Sequence, residues 1–384
     1  MASRPPWPPT DGGRVLMAYT IEGLVARGHD ITVVAPTPAG RDNPAELGAP
    51  VSPRLRLRIV PDRPPPKAAA AVLSLIQGLP VSVVGQSSPP TRVEVARLLG
   101  TEPFDVVHVE QLQALPKADA AFGRRVPIVL RAENVESDLW HALAEARPRA
   151  RRFARFEAQR LARFEGRSVA RVAATAALTL ADAKRLRRLA PGADVEVVPA
   201  PMPAHLPAGA ARLAGDPALV VVASRWHPNQ DGVIWFAKTI WPAVLAALPR
   251  ARLHLFGADA AAAGDGIDRH EAATSSADAF ADGSILVVPL RIASGVRVRI
   301  LEAWARGVPV VATHAAAEGL GVVDGRGIRL ADSADAFIRA IDEIHQSRDL
   351  SAGLVIDGRA RLKSHHDPAM CAARLEAIYA RVIG

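Results

Sequence analysis

The chain has 384 residues, 49% of them apolar and 22% charged, the balance of a packed globular protein and more length than one core usually takes. A single cysteine, Cys371, excludes an intramolecular disulfide, and no apolar run approaches the ~20 residues of a membrane-spanning helix. Much of the net charge of +8 lies in residues 147–171, where arginine recurs among Phe153, Phe156, Leu161 and Phe164.

The Pro-rich start, Met1 to Thr10, lacks the apolar centre of a secretory signal, and a cytoplasmic protein is expected. Behind it, Asp11-Gly12-Gly13-Arg14 reads as a loop, Val15 to Ala26 as a helix with apolar residues at helical spacing, Gly28 as its stop, and Ile31 to Ala35 as a strand. Phe104 to Val109 and Val126 to Leu130 are apolar runs of the kind that parallel sheets bury. Each ends in polar residues, Glu110-Gln111 and Arg131-Ala132-Glu133-Asn134. Ligands of open α/β sheets bind outside the carboxyl ends of the strands, which makes Glu110, Glu133 and Asn134 candidates.

The arginine-rich stretch reads as a basic amphipathic helix in which Glu157 with Arg160 is the only favourable pair at helical spacing between Arg151 and Arg171. Such a helix either presents a solvated face or touches an anionic surface. A peripheral contact at the inner membrane surface is the partner considered, and nucleic acid is not expected.

Val195 to Val198 reads as a last strand, followed by Pro199, Pro201, Pro203 and Pro207, which cannot continue regular structure. The second half restarts with a strand at Ala218 to Ser224, a turn at Arg225 to Asn229, a helix from about Gln230 to Ala247 and a strand at Arg252 to Phe256. Residues 258–281 are Ala- and Asp-rich and support no assignment. Two α/β halves, each with its own sheet, are expected to face one another.

Val287 to Thr313 runs strand, small-residue turn, helix, glycine, strand. The turn Ser294-Gly295-Val296 sits where a helix begins, so free amides and the positive end of the helix dipole suit a phosphate. Glu302, about two turns on, suits ribose hydroxyls of the same ligand, and a nucleotide diphosphate is the simplest candidate. Sharper motifs fail on the letters. There is no G-x-G-x-x-G or Walker A sequence, and His270-Glu271-Ala272-Ala273-Thr274 lacks the second histidine of a zinc site. No cysteine pair or Asp-x-Asp pair offers metal ligands, so no metal and no cofactor are expected. His365-His366-Asp367 reads as exposed.

Taken together, Pro8 to Arg14, Glu133-Asn134-Val135-Glu136-Ser137, His227 to Phe236, and Gly295 through Glu318-Gly319-Leu320 resemble the family 4 retaining glycosyltransferases over most of the chain. The resemblance implies an α/β fold of two facing Rossmann-like domains, the GT-B type, with an interdomain cleft. The boundaries expected are an acceptor domain at 1–198, a linker at 199–209, a nucleotide-sugar donor domain at 210–360, and a C-terminal helix at 361–384 packing back on the first domain. It implies metal-independent transfer of a sugar, with retention, from a nucleotide diphosphate sugar to an acceptor hydroxyl.

By the same resemblance, Gly12 and Gly13 let the backbone approach the diphosphate or sugar, and Arg225 counters diphosphate charge. Gly295 and Val296 supply amides, Arg297 and Arg299 add cationic support, and Glu302 binds the ribose. Glu133 or Glu110 orients the acceptor. The family's acidic residue eight positions before Glu302 is Ser294 here, its frequent histidine is Glu133, and the lysine it places after Arg225 has no match. The buried strand that normally precedes the Pro-rich turn is nearly lacking: either the start lies downstream of the natural one, the reading favoured, or the first sheet lacks a strand. The alternatives are a sugar-nucleotide epimerase or hydrolase of the same fold, or a catalytically silent nucleotide-sugar-binding homologue.

Overall fold

The computed structural model describes residues 1–38, 47–146, 150–209, 212–223, 227–258, 261–271, 276–292 and 295–384. Contacts divide the chain into two compact units. The first comprises Met1–Pro8, Met17–Pro199 and Ala369–Gly384, and the second comprises Pro9–Leu16 and Ala200–Pro368.

In the first unit the strands are β1 (Ile31–Thr37), β2 (Leu55–Pro61), β3 (Val107–Glu110), β4 (Ile128–Ala132), β5 (Ala174–Ala177) and β6 (Val195–Val197). All pair in parallel, β1 with β2 and then β3 through β6 in order. Every residue of β4 is buried, which is why that run is continuously apolar apart from Arg131. Strand β2 does not stand out in the sequence. Its Arg56 and Arg58 alternate outward with half-buried Leu55 and Leu57, the pattern of a charged edge strand.

Met1 and Ala2 lie between the two short sheets. The Met1 ammonium donates to His108 O at 2.7 Å, Glu110 N donates to Met1 O at 2.9 Å, and Ala2 N donates to Val34 O at 3.0 Å. The two bonds to β3 are those of parallel pairing, and the bond to Val34 sets Met1 and Ala2 between β1 and β3. A cavity of about 680 Å³ continues from there, lined by Val34, Val106, His108, Leu24, Leu98 and Tyr379. Burial pushes the Met1 ammonium down to about 6. The helix Pro368–Ile383 packs in this unit through Cys371, Leu375 and Ile378 against Leu24, Val129 and Ala176.

The second unit contains β7 (Ala218–Val222), β8 (Arg252–Phe256), β9 (Ile267–His270), β10 (Ile285–Val288), β11 (Val310–Ala312) and β12 (Arg329–Leu330). Their order is β12-β11-β10-β7-β8-β9, all parallel. Counted from β7, that is the 3-2-1-4-5-6 order, mirrored, of a doubly wound sheet. Strand β9 lies in the stretch that the sequence left unassigned. The helix after β7 starts at His227 and passes through a wider turn, Phe236–Ile240, into Trp241–Ala247. Phe236, Trp241 and Phe337 fill the core beneath it. His366, read from sequence as exposed, is buried instead: its Nδ1 lies 2.8 Å from Ala200 O, and Met202 N donates to its carbonyl at 2.7 Å.

Candidate functional site

In a doubly wound sheet the ligand crevice lies where the strand order reverses, at the carboxyl ends of the first and fourth strands. Here those are β7 and β10. The segments that leave them, from Ala223 onward and from Pro289 to Arg297, are the two donor segments singled out in the sequence. Arg225 and Ser294 fall on them but lie outside the described residues.

Glycine fixes the spacing at this switch point. A Cβ on Gly232, in the helix after β7, would meet Pro289 O at 2.5 Å, so only glycine lets that helix press against the end of β10. Gly295 has a φ of 67°, a left-handed conformation that turns the chain toward the next helix. That helix begins at Val298, three residues after Gly295 rather than at it. Its N-cap is Arg297, with no side-chain cap bond, and the Gly295 and Val296 amides have no backbone partner among the described residues. Orphan amides of this kind are what an anion takes at a helix start. Arg291, just past β10, places its guanidinium carbon 5.7 Å from the centre of the Trp235 ring and adds a cation that the sequence reading missed.

Glu302 is 1% exposed on the same helix. Its Oε2 accepts from Arg299 Nη1 at 2.8 Å and its Oε1 from Arg306 Nη2 at 3.2 Å, the i−3 and i+4 neighbours on one helix face. Arg299 also donates to Thr10 O at 2.8 Å, and Arg306 donates to Pro207 O. Arg299 is thus engaged with Glu302 and the Thr10 carbonyl. Arg306 was visible in the sequence at four residues' spacing, but neither partner carbonyl was.

The glycine turn belongs to the same unit. Asp11 caps the helix Gly12–Ala26, its Oδ1 accepting from Arg14 N at 3.2 Å and its carbonyl from Val15 N at 2.9 Å. A Cβ on Gly12 would stand 3.2 Å from Val298 Cβ. The lack of a side chain at Gly12 therefore brings two helix starts together. Gly13 is the second residue of this helix.

In the first unit, Glu110 and Glu133 follow β3 and β4 at their carboxyl ends, and both are buried. Glu110 Oε1 lies 3.0 Å from His108 Nε2, and His108 Nδ1 lies 2.5 Å from the Tyr379 hydroxyl. Gln111, at a φ of 72°, donates through Nε2 to Glu133 Oε2 at 2.8 Å and accepts from Ser3 Oγ at 2.5 Å. Burial alone would raise Glu110, but His108, Arg131 and the Met1 ammonium hold its carboxyl below the ordinary range. Burial and the neighbouring Glu110 charge push Glu133 up to about 8, against the opposing pull of Gln111, Arg4 and Arg131. Two neighbouring carboxyls driven apart in this way form one anion and one neutral acid at pH 7. Gln111 is adjacent to Glu110 in sequence, but His108 and Tyr379 are 271 residues apart, and nothing in the sequence links them.

Two parallel α/β units, with a glycine-shaped switch point in the second, define the GT-B class. Residues 11–201 match the family described as glycosyl transferase 4-like domain, and residues 217–347 match glycosyl transferases group 1. The chain belongs to the GT-B glycosyltransferases of this GT4/GT1 type.

Among solved structures, a sucrose-phosphate synthase from Thermosynechococcus elongatus is similar at a TM-score of 0.68 and 16% identity, over 96% of this chain and 93% of that one. HepE from Anabaena, solved with UDP and glucose, is similar at 0.65 and 14% identity, over 97% of each chain. A glycosyltransferase from Rickettsia africae is similar at 0.63 and 10% identity, over 97% of this chain and 94% of that one. No curated protein matches the sequence.

Proposed function

We propose that this glycosyltransferase moves a sugar from a nucleoside diphosphate sugar to an acceptor hydroxyl, with retention and without a metal ion. The observation that carries the donor class is the pairing of orphan amides just ahead of a helix start with a buried carboxylate about one turn into that helix. The amides of Gly295 and Val296 and the helix dipole receive the diphosphate, and their stabilisation grows as negative charge develops on the leaving group. The family resemblance assigns Arg225 and Ser294 to the donor as well, and Arg297 adds to the positive field.

Glu302 binds the ribose. A carboxylate has about four lone-pair directions, and its two guanidinium partners leave directions for hydroxyl donors. Gly12 and Gly13 keep the start of their helix free of side chains. HepE, of the same fold, has also been solved with UDP-glucose, which makes a uridine donor the first to test.

On the acceptor side, neutral Glu133 donates a hydrogen bond to the acceptor while anionic Glu110 holds His108. Retention rests on the family resemblance. By the same resemblance, attack is front-face and the leaving phosphate helps to take the acceptor proton. Metal independence rests on the lack of an Asp-x-Asp pair in the sequence.

The test is donor turnover, with and without a panel of acceptor alcohols. Product formed only with acceptor, with unchanged anomeric configuration by NMR and undiminished by chelator, supports the reading. Donor loss without acceptor makes the chain a hydrolase or epimerase, and nucleotide binding without any turnover makes it a binding protein.

A further inference from the structure

The helix Lys67–Gln77, in the first unit, buries only Ala70 and Ser74. Val72, Leu75 and Ile76 are 58%, 68% and 75% exposed, more apolar surface than an isolated side chain explains. The helix is nonetheless held firmly in place. Arg160 donates to Ser74 Oγ at 2.9 Å, Ser74 O at 2.7 Å and Leu79 O at 2.6 Å. Glu157 accepts from Val81 N at 2.9 Å. These bonds fasten the underside of the helix to the helix Arg151–Arg171 and leave its aliphatic side chains facing out.

The helix Arg151–Arg171 continues the same surface. Ala154, Glu157, Ala158, Leu161, Glu165 and Val169 form its buried side. At helical spacing, Arg152, Phe153, Phe156, Arg163 and Arg167 fall on the other, and all are exposed. The Phe156 ring lies 5.3 Å from the Arg160 guanidinium carbon, which places it alongside the helix Lys67–Gln77.

Both acids of the longer helix are turned inward, Glu157 onto Arg160 and Val81 N, and Glu165 onto Glu136 N and the Ser137 hydroxyl. Arg151 and Arg155 are paired with Glu145. Among the described residues of these two helices, the outer face that remains is cationic and apolar, without an acid.

We propose that this face of the first unit docks on an anionic lipid bilayer. Val72, Leu75, Ile76, Phe153 and Phe156 enter the boundary between headgroups and acyl chains, and Arg152, Arg163 and Arg167 lie among the lipid phosphates. That division of labour, apolar side chains inserted and cations at headgroup level, is how an interfacial helix binds. A second copy fits less well, since a two-fold interface would set the arginine face against itself. Nucleic acid fits less well too, because the aliphatic side chains of Val72, Leu75 and Ile76 give bases nothing to stack on. The proposal is independent of the donor assignment, since vesicle binding is read without turnover.

The test is co-sedimentation of the full chain with vesicles of phosphatidylcholine alone and of phosphatidylcholine with one-third phosphatidylglycerol. Binding is expected only to the anionic vesicles, weakened by salt. Arg152→Gln and Arg163→Gln should each lower affinity about fivefold. Leu75→Ser with Ile76→Ser should lower it further, with the thermal midpoint unchanged because these side chains are already in water. Equal binding to both vesicle types, no binding to either, or unaltered binding by the variants overturns the proposal. So does lipid-free self-association that the same variants abolish, which would make the face an interface between copies.

Discussion

Gly12 and Val298 stand so close that a Cβ on the glycine would lie 3.2 Å from the valine Cβ. A glycine turn of this kind reads, from sequence, as backbone making room for a ligand, and here it also makes room for another helix. Gly12→Ala should therefore destabilise the protein by about 1 kcal/mol through overpacking, and Gly12→Val by more. Val298→Ala should recover most of the loss in the double variant, as a coupling energy in urea denaturation. Simple additivity of the two changes would mean the contact is unimportant for stability.

Glu302 lies between two guanidiniums, with Arg299 at 2.8 Å and Arg306 at 3.2 Å. Glu302→Ala leaves both cations close together with no anion between them, and breaking a buried pair in this way costs about 3 kcal/mol. Glu302→Gln keeps the shape and should cost less. If the carboxylate also binds the ribose, both variants should weaken nucleoside diphosphate binding in calorimetry, well below the unfolding transition. Wild-type affinity in a folded Glu302→Gln protein would sink the ribose role while leaving the structural one intact.

Long apolar runs and the punctuation between them were legible in the sequence. Strands β3, β4, β7, β8, β10 and β11 fall within about three residues of their expected places, and all but the half-buried β3 bury nearly every side chain they have. Strand β2 was not legible, since as an edge strand it alternates arginine with leucine and carries half the signal. At the site, the place of Glu302 on a helix and its i+4 spacing to Arg306 were legible, but the joining of Arg299 to Thr10 O across 289 residues and of Arg306 to Pro207 O was not. The contact between Tyr379 and His108 escaped for the same reason, because local patterns record which face is buried and not what lies across from it.

Glu133, raised to about 8 from an ordinary 4.5, is neutral in the fold and ionised in the unfolded chain between those pH values. The unfolded chain then holds fewer protons, so this residue's contribution to stability falls as pH rises from about 4.5 to 8. Glu133→Gln removes that slope. The variant should gain on wild type with rising pH, by a few kcal/mol at most near pH 8, in denaturant titrations at several pH values. If neutral Glu133 also orients the acceptor, wild-type kcat/KM should fall on the alkaline side near pH 8, and Glu133→Gln should lose that limb. A parallel pH dependence of stability in the two proteins would show that Glu133 titrates as an ordinary carboxylate.

With Met1 as the first residue, its ammonium is buried at the mouth of the cavity between β1 and β3, and its pKa falls from 8.0 to about 6. An amine depressed in the fold sets the opposite sign to Glu133. Below pH 6 it is charged in both states and the fold bears the full desolvation cost, about 3 kcal/mol, whereas above pH 8 it is neutral in both and the cost is gone. Joining a short run of valine and isoleucine ahead of Met1 replaces the ammonium with a peptide bond and extends the bonding that Met1 and Ala2 make with β3 and β1. The extended chain should be more stable, most clearly at pH 6, with the advantage narrowing toward pH 8 to what the added strand pairing and apolar burial contribute. Thermal midpoints of the two chains across that range decide it: a difference that does not narrow would exclude the buried ammonium as its source, and no difference at pH 6 would mean that the added residues do not enter the space between the strands.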